Sequence, residues 1–171
     1  MNIDIPEKGL SIRANVEVRM YDEKYIKTYK DYLIAKNRGL LDKVTIQKDT
    51  GENLVVNAGL NQIILLLNNG SAVNFTFCGV GSSNTAVLAT DTDLNTSIVR
   101  IAVTNIYQSA NVGHWDTFFN STTGNGTIWE SGLFSLVSAG IMLCHKLLGS
   151  SFAKTTNNTM TISWTLQVSA V

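Results

Sequence analysis

Met160-Thr161-Ile162-Ser163-Trp164-Thr165-Leu166-Gln167-Val168, near the C-terminus, alternates apolar and polar residues at every position. A strict two-residue period is typical of a β-strand that turns one face to a core and the other away from it. The polar face of this strand carries Ser, Thr and Gln but no charge, so nothing on it discourages pairing with a neighbour on either side. We therefore predict a central strand in which Trp164 is buried.

The same period appears near the N-terminus, from Ile12 to Met20. Between these two stretches, short β-branched segments are separated by turn clusters rich in Gly, Asn and Ser, such as residues 120–126. Short strands at this spacing predict a mainly β fold, an antiparallel β-sandwich or jelly-roll-like domain.

One short packed helix is predicted from Asn57 to Asn69. Asn57 can cap its N-terminus, Gly70 follows it, and one stripe is apolar: Leu60, Ile63, Ile64 and Leu67. Leu65 and Leu66 widen that apolar stripe, so we expect the helix to be covered on most sides.

Charged side chains are distributed unequally along the chain. Residues 1–52 carry 19 of them, whereas the 117 residues from Val55 onward carry only seven. The division predicts an N-terminal arm over residues 1–52 and a β-sandwich domain over residues 53–171. The uncharged polar surface of the sandwich suits contact with other protein, since no ion has to be desolvated; an ordinary sandwich with an Asn/Thr-rich surface remains the alternative.

The predicted arm contains a strand, a helix over residues 22–38 and the start of a hairpin turning at Gly51. Both the strand and the helix have an apolar face that must be covered, on the arm's own domain or on a neighbouring subunit. We predict the neighbouring subunit, because an exchanged strand makes a contact specific through its hydrogen-bond ladder. The residues assigned to this docking role are Ile12, Val16, Val18, Tyr25, Tyr29 and Leu33.

The totals argue against several classes of partner. The net charge is zero, so no electrostatic footprint for nucleic acid or an anionic membrane is visible. The longest apolar run, Ile63 to Leu67, is too short to span a bilayer. The N-terminus lacks the basic and apolar regions of a secretory signal.

No catalytic or cofactor signature is present in the sequence. His114 and His145 stand in no metal-binding spacing, and the turn at Gly79 lacks the residues that follow it in a phosphate-binding loop. The segment from Asp91 to Asp93 reads as a side-chain-capped loop, with a weak calcium site as the alternative. We therefore predict a protein that is not an enzyme and has no cofactor.

Two pairs of residues invite a structural interpretation. Arg100 and Glu130 are lone charges in apolar, strand-like surroundings, where a charge is costly unless paired, so we predict an ion pair between them. Cys78 and Cys144 are interpreted as buried free thiols, with a disulfide between them as the alternative.

The order of segments from Glu52 onward resembles a recurrent group of tailed-bacteriophage virion structural proteins, of the head-decoration, tail or fibre type. The resemblance covers roughly the last 115 residues. It rests on Asn53-Leu54-Val55-Val56-Asn57-Ala58-Gly59-Leu60, Phe77-Cys78-Gly79-Val80-Gly81-Ser82, Thr92-Asp93-Leu94 before Arg100, Thr127-Ile128-Trp129-Glu130-Ser131-Gly132-Leu133-Phe134, and the alternating strand from Thr159 to Val168.

The resemblance implies a β-sandwich without catalysis, located in the virion and assembled in the host cytoplasm. The expected function is structural: the chain assembles with itself, as a homo-oligomer, and with capsid or tail proteins. The alternative is a receptor- or glycan-binding module of a tail fibre, with Tyr107, Trp115 and Trp129 as an aromatic platform for sugars.

Overall fold

The computed structural model of the chain describes residues 9–69 and 72–170. Two five-stranded antiparallel sheets form a sandwich: sheet A has the strand order β2-β1-β10-β7-β6 and sheet B the order β3-β9-β8-β4-β5. The mainly β, antiparallel sandwich predicted from the sequence is confirmed. The elements are β1 (Leu10–Asp22), α1 (Tyr29–Asn37), α2 (Leu41–Val44), β2 (Thr45–Glu52), β3 (Leu54–Val55), α3 (Asn57–Asn69), β4 (Phe77–Gly81), β5 (Ser97–Ala102), β6 (Asn105–Ser109), β7 (Val112–Phe119), β8 (Gly126–Phe134), β9 (Met142–Lys154) and β10 (Asn158–Ala170).

The main core lies between the facing sides of the two sheets. The alternating strands β1 and β10 contribute every second residue, which is why these stretches of sequence supply so much of the core. The indole N–H of Trp164 in sheet A lies 3.4 Å from Sγ of Cys78 in sheet B, so the two sheets are in direct contact. Trp164 is 1% exposed.

Strand β10 is central, as its uncharged polar face predicts. On one side it pairs with β1 over thirteen residues, from Leu10 opposite Ala170 to Asp22 opposite Asn158. On the other side it pairs with β7, where Trp164 lies opposite Trp115.

The prediction of a separate N-terminal arm does not match this arrangement. Strand β1 lies between β2 and β10 of the same sheet, so residues 10–52 belong to the same sandwich as the later strands. Val16 and Val18 are 3% and 0% exposed in the chain's own core, where they cannot dock on a neighbour. Sequence could not decide this point, because an apolar strand face has the same pattern whichever chain covers it. Residues 1–8 of the predicted arm lie outside the described residues.

The helix predicted over residues 22–38 is shorter and begins later than expected. Strand β1 continues to Asp22, and α1 begins after Thr28, whose hydroxyl accepts from the backbone N–H of Asp31 while the Asp31 carboxylate accepts in return from the Thr28 N–H. This reciprocal capping box fixes the helix start more strongly than Asp22 could.

Helix α1 lies on the outer face of sheet A and builds a second, aromatic cluster there. The hydroxyls of Tyr21 and Thr161 are 2.9 Å apart beneath it, and the ring of Tyr29 packs against Phe118. Leu33 packs against the same cluster, whereas Tyr25 is 59% exposed. The aromatic stripe of the predicted arm is therefore covered mostly by the chain's own sheet.

The predicted hairpin at Gly51 is also absent. Residues Thr45–Glu52 form one strand of sheet A, and the chain then crosses at Asn53 to β3 in sheet B. The predicted helix over Asn57–Asn69 is confirmed as α3, and its predicted end at Gly70 lies outside the described residues. No helix within the described ranges is long and apolar enough to cross a membrane.

We predict that Trp164→Ala lowers the free energy of unfolding by about 3–5 kcal/mol, because the substitution empties a fully enclosed aromatic site. Urea unfolding followed by circular dichroism measures the change. Tyr25→Ala, at an aromatic residue that is 59% exposed, is the matched control and should stay within about 0.5 kcal/mol of the original chain. Equal losses in the two variants would contradict the central position of β10.

Candidate functional site

The most concentrated polar chemistry of the described residues lies on the outer face of sheet B. His145 on β9 stands between two carboxylates: its Nδ1 is 2.7 Å from Oδ2 of Asp91 and its Nε2 is 2.9 Å from Oε2 of Glu130. His145 and Glu130 are both 0% exposed. A carboxyl oxygen therefore lies within hydrogen-bond distance of each ring nitrogen, and the imidazole is held from both sides.

Hydrogen bonds with Glu130 and His145 hold the long connection between β4 and β5 against the sheet. The two carboxylate oxygens of Glu130 accept from the backbone N–H groups of Asn95 and Thr96, at 3.1 and 2.8 Å. Asp91 accepts from the N–H of Leu88 at 2.8 Å. Residues 82–96 contain no helix or strand, so their backbone groups need such partners when they cover a sheet.

The predicted ion pair between Arg100 and Glu130 is not formed. Arg100 instead forms its salt bridge with Asp93, in the same connecting loop, and its guanidinium lies 3.6 Å above the ring of Phe134. Glycine at position 79 makes this possible, because a Cβ there would stand 2.9 Å from Cγ of Arg100. Both residues have partners, as predicted, but Arg100 contacts Asp93 and Glu130 contacts His145, so the two do not pair with each other.

Sequence reasoning missed the role of His145. The signal that was available is a single histidine in the mostly apolar first half of β9, where an unpaired imidazole would be costly. Its two partners come from residues 91 and 130, and no spacing in the sequence connects them. The loop that carries Asp91 has no periodic pattern from which its path could be inferred.

The cluster around His145 is closed to solvent. Glu130 and His145 are sealed from solvent, so a substrate could not reach either group without displacing the loop. Asp91 and Asp93, the alternative calcium ligands, are engaged by His145 and Arg100. Across residues 9–69 and 72–170, no group of three or more His, Cys, Asp or Glu side chains is arranged to hold a metal ion.

Cys78 and Cys144 are free and buried. Burial raises the pKa of both thiols, and that of Cys144 rises to about 12. Neither sulfur is therefore a thiolate nucleophile near neutral pH. They fill the core as small apolar side chains.

The three aromatic residues of the alternative sugar platform do not come together. Tyr107 and Trp115 lie on neighbouring strands of sheet A but face opposite sides of it, since Trp115 is opposite Ile106 and Tyr107 is opposite His114. Trp129 lies in sheet B, at a bulge in β8. A platform made of all three is therefore excluded by the fold.

The most unusual surface is the exposed side of α3. Its residues contain no charge, and Ile64, Leu65, Leu66 and Leu67 are 54%, 42%, 52% and 73% exposed. We call these four residues, with the 41% exposed Val73, the α3 surface. It continues into a groove of about 380 Å³ whose apolar lining includes Leu66, Val73, Phe75, Ile106 and Trp115. The prediction that this helix is covered on most sides is wrong for the single chain.

Comparison with known proteins adds no relative, because no protein-family model, curated protein or solved structure significantly matches this chain.

We predict that Glu130→Gln lowers the free energy of unfolding by about 3–5 kcal/mol, because it breaks a fully buried contact with His145 and removes an acceptor from the Asn95 and Thr96 amides. Urea unfolding measures the loss, and hydrogen exchange should show weakened protection of the Asn95 and Thr96 amides. Glu52→Gln, at an exposed glutamate on the edge strand β2, is the matched control and should be nearly neutral.

A double-mutant cycle of Glu130→Gln with His145→Gln separates the pair from its neighbours. We expect a coupling energy between these two positions. A cycle without coupling would show that the two groups do not interact in solution.

Proposed function

We propose that this chain is a non-enzymatic structural protein of a tailed-phage virion that assembles with itself and with capsid or tail proteins. The observation that carries the proposal is the exposed, uncharged α3 surface. The resemblance of the last 115 residues to virion proteins supports the proposed class of particle. The buried cluster around His145 supports a structural role, since it uses the domain's polar chemistry to fix a loop.

The α3 surface is costly to leave in water. Four consecutive large apolar side chains cannot all face one core, because successive helical positions point in directions about 100° apart. Ile63 packs against the core, while the next four residues are exposed. Removing apolar surface from water is favourable by about 25 cal/mol per Å², so burial of the α3 surface would stabilise a complex with a partner that covers it.

A second copy of this chain is the partner that the α3 surface fits. In a two-fold contact each surface meets its own copy, so any charge near the axis would face its own kind. The thirteen residues of α3 carry no acidic or basic side chain, so the surface meets itself without repulsion. The adjoining groove beside Ile106 and Trp115 offers a recess for a projecting side chain of the other copy.

We predict that the chain is oligomeric in solution and that Ile64→Asp shifts it to the monomer, since a charge at the centre of the contact must be desolvated. Sedimentation velocity over a range of concentrations measures the mass. Ile34→Asp is the matched control: it makes the same change in a helix, at an isoleucine that is 43% exposed on α1, and should leave the oligomer intact. A chain that remains monomeric at high concentration would contradict self-assembly through α3.

Assignment to a virion needs a separate measurement. Particles purified from the phage or prophage that encodes the chain should contain it in a fixed number of copies, and a particle reconstruction should show α3 buried between subunits. Absence of the chain from purified particles would contradict the virion assignment, even if the isolated protein forms oligomers.

A further inference from the structure

A second surface, on the outer face of sheet A, has the features of a binding site. Between α1 and strand β6 the sheet forms the floor of an open cleft of about 530 Å³, which we call the sheet A cleft. One row of its floor runs across four strands through Asn15, Thr165, His114 and Tyr107, each opposite the next. A second row beside it contains Thr50, Glu17, Ser163 and Asp116.

The wall of the cleft on the β6 side is aromatic. The rings of Tyr107 and His114 are stacked, with 4.4 Å between their centroids and 2° between their planes. Tyr107 is 39% exposed and lines the cleft together with His114, so the stacked pair can be reached by a ligand from solvent. Exposed aromatic rings can contact the apolar C–H groups of a sugar ring.

The charged groups of the cleft are already balanced. Asp116, 3% exposed, accepts from the hydroxyl of Tyr29 at 3.1 Å and lies 3.8 Å from Nζ of Lys36. Glu17 is bound by Arg19 at 2.6 Å and by Lys48 at 3.2 Å. Since each carboxylate has its own cation, the cleft has no surplus charge with which to attract an ionic ligand.

The remaining floor groups are hydroxyls and an amide. Ser163, Thr165, Thr50 and Asn15 offer both donors and acceptors, while the backbone of the central strands beneath them is used in the sheet. An extended peptide would find no free backbone ladder on this face, whereas sugar hydroxyls match these side chains. From β1 to β6 the floor spans three strand spacings, or about 14 Å, the length of a short oligosaccharide.

We propose that the sheet A cleft binds a short neutral oligosaccharide, with one sugar ring packed against the Tyr107–His114 pair and its hydroxyls bonded to Thr165 and Ser163. The cleft lies on the opposite side of its sheet from the groove beside Ile106, so both surfaces are usable at once. The ligand site goes beyond the proposed assembly role and does not depend on it.

The experiment screens the full chain against immobilised short neutral oligosaccharides of glucose, galactose, mannose and N-acetylglucosamine, with sialylated and sulfated glycans as charged counter-probes. Titration calorimetry with the tightest-binding free saccharide then compares three variants. We expect Tyr107→Ala to weaken binding about tenfold or more, and Thr165→Val to weaken it as well. Tyr25→Ala, at an exposed tyrosine outside the cleft, is the matched control and should bind as the original chain does.

Several results would overturn this site. These are no binding of any neutral probe, binding of the charged probes alone, or unchanged affinity in both Tyr107→Ala and Thr165→Val. The Ile64→Asp chain should bind the saccharide with unchanged affinity per chain, because one chain supplies the whole cleft. Saccharide binding that disappears in Ile64→Asp while the thermal unfolding temperature is unchanged would also overturn it. Failure of self-assembly leaves this test intact, so the two proposals are separable.

Discussion

The pairing of β1 with β10 is the contact on which the rest of the structure depends. It joins the two ends of the described chain along thirteen residue pairs, and it places both alternating stretches side by side at the centre of sheet A. A slip of one residue in this register would turn one of the two strands over and take either Val18 or Trp164 out of the core. The same slip would turn Asn15 or Thr165 inward, so the register that builds the core builds the sheet A cleft as well.

Contacts between residues 10 and 170 close nearly the whole chain into one loop. Such long-range pairing is slow to form, because the entropy of closing the loop is lost before the contact repays it. It also explains why the charged N-terminal segment is not an arm: β1 supplies half of the central pair, and without it β10 would be an apolar edge strand.

The sparse charges of the sandwich are used in two different ways. On sheet B, Glu130 and His145 are fully buried and hold residues 82–96, which contain no helix or strand. On sheet A, Asp116 and Glu17 are each neutralised beside an open floor of hydroxyls. The surface contributed by residues from Val55 onward is left largely uncharged, which suits contact with other protein at α3, while the cleft pairs each of its carboxylates with a cation.

The sequence by itself determined the period of the strands, the burial of Trp164, the bounds of α3 and the need of Arg100 and Glu130 for partners. These are local properties, set by side-chain alternation, capping and the cost of an unpaired charge. Only the tertiary structure decided which chain covers β1, which groups pair with the two charges, and how Tyr107 and His114 meet. Partners such as Asp91 and His145 are brought together by a loop without periodicity and by the order of strands in a sheet, and neither leaves a trace in residue spacing.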